Sequence, residues 1–140
     1  MKILIDINHP AHVHYYRNFI KLMEAKGHKF CVTNRDSKMI NHLLDYYGIE
    51  HTIRNMRPEK KGTVASLMNL LRMILWCIRK SLTFHPDIYM GFGSSANAIT
   101  SWLFRKPSIL IDDTEFVPLC LHQLDKIAVI VNVGGMIDVD

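Results

Sequence analysis

Three imidazoles follow one another in the run Asp6-Ile7-Asn8-His9-Pro10-Ala11-His12-Val13-His14, directly after the apolar Ile3-Leu4-Ile5. Histidine titrates near neutrality and ligates metals, so such a cluster at a strand's exit suits proton transfer or metal binding. Two other segments carry groups of the same kind. Gly91-Phe92-Gly93-Ser94-Ser95 sets flexible backbone and hydroxyls ahead of a helical stretch, and Asp112-Asp113-Thr114-Glu115 sets three carboxylates together.

The histidines admit three readings. With Asp6 or Asp112 they would suit zinc or iron, but H-x-H spacing is common by chance, and a helix's first turn would point His12 and His14 in different directions. A general base needs fewer coincidences: His12, hydrogen-bonded to a carboxylate, would take the proton of an acceptor hydroxyl. In the third reading all three residues simply begin a helix. No metal site is assigned, and no cofactor is expected.

Gly91, Gly93, Ser94 and Ser95 offer N–H groups at the positive end of a helix dipole, suited to an anionic or sugar-like ligand, or else form a serine-capped turn. The segment is neither G-x-G-x-x-G nor a lysine-bearing phosphate loop, and no glycine follows the first strand, which argues against a dinucleotide-binding domain. Asp112, Asp113 and Glu115 would bind substrate hydroxyls or orient the imidazole; otherwise Asp113 or Glu115 caps a short helix. His28, His42, His51, His85 and His122 fall in turns or on helix surfaces and are expected to be solvated.

The elements that must position these groups alternate as βα units. Strands are predicted at Lys2–Ile7, Lys29–Thr33, Glu50–Arg54, Ile88–Met90 and Ser108–Ile111, with a sixth at Lys126–Val133. Helices are predicted from His14 to Ala25, from a cap at Asp36 or Ser37 to Gly48, from Thr63 to Thr83 and from Ala96 to Phe104. Tyr16, Phe19, Ile20 and Met23 form the buried stripe of the first; Met39, Ile40, Leu43, Leu44 and Tyr47 form that of the second. The fold class is α/β, a Rossmann-like parallel sheet with helices on both faces. Right-handed crossovers give the strand order 3-2-1-4-5, and ligands bind outside the carboxyl ends of the strands where that order reverses. Asn8 to His14, Gly91 to Ser95 and Asp112 to Glu115 should therefore converge there.

At 140 residues and 49% apolar, the chain is expected to form a single domain over 1–140 without a linker. Its formal charge of +4 favours acidic partners without specifying one, and no nucleic-acid partner is expected. Cys31, Cys77 and Cys120 are odd in number and widely spaced, which argues against disulfides or a structural zinc and for a reduced, cytoplasmic setting. The opening from Lys2 to Asp6 lacks the apolar stretch and small-residue cleavage site of a secretory signal, so an intracellular protein is expected. The apolar stretch from Leu67 to Leu82 is broken by Arg72, Arg79 and Lys80, so it does not span a membrane. It either covers the sheet or lies on a membrane surface with its cations near anionic lipid.

The opening Ile5-Asp6-Ile7-Asn8-His9-Pro10-Ala11-His12-Val13-His14, together with Ala25-Lys26-Gly27-His28, Tyr47-Gly48-Ile49, Pro86-Asp87, Gly91-Phe92-Gly93-Ser94 and Lys106-Pro107-Ser108 through Glu115, resembles a known family. What it resembles is the amino-terminal half of a bacterial and archaeal domain-of-unknown-function family, number 354, related to GT-B glycosyltransferases. The resemblance covers residues 1–116. More distantly, the layout is similar to the peptidoglycan N-acetylglucosaminyltransferase and to UDP-N-acetylglucosamine 2-epimerases. It implies a GT-B-type amino-terminal domain that holds a sugar or lipid-linked acceptor, with His12 as catalytic base. Asp112 and Asp113 would be the orienting groups, and Asn8, His9, His14, Gly91, Gly93, Ser94, Ser95 and Glu115 the ligand contacts. It further implies peripheral contact with the inner face of the membrane through the 64–83 helix. The second GT-B domain, which binds most of the sugar-nucleotide donor, is not expected within this chain, so a donor-binding subunit or a carboxy-terminal domain would have to supply it. A non-catalytic binding or scaffold domain or a truncated relic is the alternative, with a metal-dependent hydrolase after it.

Overall fold

The computed structural model describes residues 1–54, 63–112 and 128–132. Strands β1 (Lys2–Ile7), β2 (Lys29–Arg35), β3 (His51–Arg54), β4 (Ile88–Phe92), β5 (Ser108–Asp112) and β6 (Ala128–Asn132) form one sheet in the order β3-β2-β1-β4-β5-β6. Every pairing is parallel. This is the predicted order with the sixth strand added beyond β5, and it reverses between β1 and β4.

Four helices connect the described strands: α1 (Pro10–Ala25), α2 (Lys38–Tyr46), α3 (Thr63–Phe84) and α4 (Ser95–Leu103). α1 packs with α2, and α3 with α4. Right-handed crossovers put the two pairs on opposite faces of the sheet. The central strand β1 is covered on both sides, and Ile3 to Ile7 are all buried, as a parallel sheet demands. Ile3, Ile5 and Ile7 join Val13, Tyr16 and Ile20 of α1, Ile40 and Leu44 of α2, Val32, Met90 and Ile111 in one cluster. Each such aliphatic side chain contributes about 1.5–3 kcal/mol on burial.

Several boundaries differ from expectation. α1 begins at Pro10 rather than His14, because proline at the first helical position has a preset φ and lacks an N–H that would have no helical partner anyway. His9 is its cap, with the Ala11 N–H donating to the His9 Nδ1 at 3.2 Å. β4 continues through Gly91 to Phe92, so the glycine-rich turn is reduced to Gly93 and Ser94. Met39 lies in solvent at 63% exposure, outside the α2 stripe expected to hold it.

α3 is more exposed than a sheet-covering helix needs to be. Among its described side chains only Cys77 and Ser81 are buried, whereas Val64, Met68, Leu71, Leu75 and Leu82 are exposed. Their spacings of four, three, four and seven place them on one ridge, with the exposed Arg72 and Arg79 alongside. No helix among the described residues is long and apolar enough to cross a membrane.

Candidate functional site

The carboxyl ends of β1, β3 and β4 meet around a buried aspartate. Asp6 is fully buried, and an ionised carboxylate there requires both a countercharge and hydrogen bonds. Arg54, the last residue of β3 and itself 4% exposed, supplies the charge through Nη1, which donates to Asp6 Oδ1 at 2.7 Å. The Thr33 hydroxyl donates to the same oxygen at 2.9 Å. On Oδ2, the Asn8 amide donates at 3.0 Å and the Ser94 hydroxyl at 2.9 Å. Arg54 Nη2 also donates to the Asn8 side-chain oxygen. Four donors fill the acceptor capacity of the carboxylate, and they come from β2, β3, the loop after β1 and the turn after β4.

This network places two expected ligand contacts in a different position. Asn8 and Ser94 are committed to Asp6. Asp6 itself, considered as a metal ligand, is held by Arg54. The diverted serine has a consequence for α4: Ser94 occupies the cap position without a side-chain cap bond. The first-turn N–H groups of α4 thus receive no acceptor from their cap, the arrangement that favours an anion at a helix start. Gly91 is buried in β4 opposite Asp6. A Cβ there would lie 3.3 Å from the Ser94 Cβ and 3.6 Å from the Asp6 carbonyl oxygen, so glycine lets α4 start close over the sheet. Gly93 turns the chain at φ +53°, a conformation that favours glycine. Its N–H donates to the Ile111 carbonyl at 3.1 Å, which ties the turn to the end of β5.

His14 parts from the other two histidines, whose rings lie 5.8 Å apart. His9 is exposed and caps α1. His12, one turn into the helix, is half-buried and stacks on Phe92 at 4.1 Å between centroids and 14° between planes. His14 points to the other side of α1, where its Nδ1 lies 3.4 Å from the Tyr47 hydroxyl. Arg17 Nη1 donates to that same hydroxyl, and its guanidinium lies 4.7 Å from the Tyr47 ring centroid. Among the described residues, no three His, Cys, Asp or Glu side chains gather to hold a metal ion.

His12, Phe92, Gly93 and Ser95 therefore share the edge where the strand order reverses. Asp112 ends β5 at the same edge; Asp113 and Glu115 lie outside the described residues. A cavity of about 470 Å³ lies at the opposite edge, lined by Glu24, Cys31, Glu50, His51 and Phe84 among others. It touches none of the segments above. The residue missed in the sequence is Arg54. The signal for it was Asp6 itself: a carboxylate in a strand covered on both faces calls for a cation from a neighbouring strand.

The fold has close counterparts among solved structures. The chain is similar to MurG of Acinetobacter baumannii, with a TM-score of 0.70 at 17% identity over 93% of this chain and 41% of that one. It is similar to the UDP-GlcNAc 2-epimerase of Neisseria meningitidis bound to UDP-GlcNAc, with a TM-score of 0.65 at 14% identity over 88% of this chain and 35% of that one. It is also similar to SsfS6, a glycosyltransferase of Streptomyces sp. SF2575, with a TM-score of 0.61 at 14% identity over 89% and 42% of the two chains. At these identities the likeness is one of fold, and the chain spans about two-fifths of each neighbour or less. No curated protein matches the sequence. The family match is shorter than the motifs led one to expect, stopping before β4: residues 1–64 match the model of the family described as Protein of unknown function (DUF354).

Proposed function

We propose that the chain is the acceptor-side half of a sugar-nucleotide-dependent glycosyltransferase and that His12 is its general base. The observation that carries this reading is the position of His12, half-buried beside the β4–α4 turn at the reversal between β1 and β4. A donor-binding domain or subunit faces that edge and supplies the nucleotide sugar. The acceptor hydroxyl loses its proton to His12 as its oxygen forms a bond to the anomeric carbon. The bond from that carbon to the nucleoside diphosphate breaks, and the diphosphate leaves with the electron pair. The first turn of α4, Ser95 included, faces the negative charge of the leaving group. Asp112 and Asp113 orient the imidazole or bind acceptor hydroxyls, and Glu115 adds a further contact. The exposed ridge of α3 with Arg72 and Arg79 rests on the anionic inner face of the membrane, which brings a lipid-linked acceptor to the site.

The test is transfer from UDP-GlcNAc in the protein completed by its donor-binding half. His12→Ala should lower turnover by about 10²–10⁴-fold, the usual contribution of a positioned base, while circular dichroism and the unfolding midpoint stay as in the parent. Retained turnover in a folded variant removes the base assignment.

A further inference from the structure

The aromatic groups around His12 form a layered arrangement. Phe92, the half-buried last residue of β4, is met edge-on by Tyr15 at 5.1 Å and 89° and by Tyr16 at 5.7 Å and 71°. Tyr16 is 1% exposed and anchored in the core cluster. These steeply inclined rings brace the Phe92 ring. His12 stacks on it nearly parallel at 4.1 Å. The His12 Nδ1 is buried, and the residue as a whole is half-buried.

We propose that Phe92 is a positioning residue for His12: its ring holds the imidazole plane so that Nε2 meets the acceptor hydroxyl, and its negative π-face stabilises the imidazolium formed on proton transfer. The inference rests on the reading of His12 as base and adds the group that sets its orientation. The stacked ring restricts rotation of the imidazole about its side-chain bonds before substrate arrives. Phe92 touches the imidazole and takes no part in bond making.

The test is a histidine-detected NMR titration of the chain, with the His12 resonances assigned by their loss in His12→Gln. Among the described residues, His9, at 5.8 Å from the His12 ring, and the phenols of Tyr15 and Tyr16 are the other titratable rings around the stack. Asp6 and Arg54 form a pair on the strands nearby, and all five are unchanged in the variants. In the parent, the His12 ring protons should resonate upfield of those of the solvated histidines. Phe92→Leu keeps the apolar volume and removes the π-face. It should abolish that shielding and lower the His12 titration midpoint by about half a pKa unit, the size of one partly exposed cation–π contact. Phe92→Tyr should restore both. Unchanged shielding and midpoint in Phe92→Leu overturn the proposal whatever His12→Ala does to turnover. Lost shielding together with retained turnover in His12→Ala upholds the stacking and overturns the base reading alone.

Discussion

At the scale of single residues, the Asp6–Arg54 pair decides the geometry of the carboxyl edge. One carboxylate accepts from Thr33, Arg54, Asn8 and Ser94, so the loop that leads into α1 and the turn that leads into α4 are held to a single buried point. Removing either partner leaves the other charge buried and unpaired. Asp6→Ala should cost about 3–5 kcal/mol of unfolding free energy. The double variant Asp6→Ala/Arg54→Met should lose less than the single one, because no orphaned guanidinium remains. Urea denaturation of the parent, Asp6→Ala, Arg54→Met and the double variant measures this, and an additive double variant would show that the pair is not coupled.

At the scale of elements, close packing of α4 and open packing of α3 have opposite consequences. α4 buries only small residues, Ala96, Asn97, Ala98, Thr100 and Ser101, and the Asn97 amide donates to the Met90 carbonyl at 3.1 Å, fastening the helix to β4. Gly91→Ala puts a methyl group 3.3 Å from the Ser94 Cβ, and overpacking of this kind costs about 1–3 kcal/mol. The same substitution should weaken the Ser94 bond to Asp6, so a lowered urea midpoint is expected with an unchanged denaturant slope. α3, by contrast, keeps a ridge of leucines, valine and methionine exposed beside two arginines. Flotation with phosphatidylglycerol vesicles should recover the chain, whereas phosphatidylcholine vesicles should not. Arg72→Glu/Arg79→Glu should abolish recovery on the anionic vesicles; equal recovery of parent and variant would remove the membrane reading.

At the scale of the whole molecule, the packed sheet shows in its response to alkaline pH. Burial pushes the Cys77 thiol up to about 12 and raises the Tyr16 phenol strongly; the Tyr89 phenol and the Cys31 thiol are raised by the same cause. These groups are neutral when protonated, so the folded chain keeps their protons at a pH where the unfolded chain has released them. Their contribution is complete below the ordinary thiol value of 9.0 and falls as pH rises from there. The thermal midpoint should therefore decline steadily above that value, and Cys77→Ala should flatten the slope. A slope identical in parent and variant would mean that the Cys77 thiol loses its proton as readily in the folded chain as in the unfolded one.

The sequence by itself determined the alternation of strands and helices, the parallel sheet and its 3-2-1-4-5 order. Apolar runs, helical periodicity and the stops at Gly27 and Gly48 are local signals, and the handedness of crossovers leaves few orders to choose from. It also picked out the edge at which the histidines and the glycine turn meet. Only the tertiary structure decided which of those groups face one another. Ser94 and Asn8 read as ligand contacts because their hydroxyl and amide are visible in the sequence; a buried carboxylate two strands from its arginine claimed them. His9, His12 and His14 read as a cluster because they are adjacent in sequence. The helix carries His14 to Tyr47 while His12 stacks on Phe92 and stays 5.8 Å from the His9 ring, since side chains along a helix radiate by about 100° per residue. Pairing across strands and rotation about a helix axis are long-range and angular facts, and a linear pattern does not carry them.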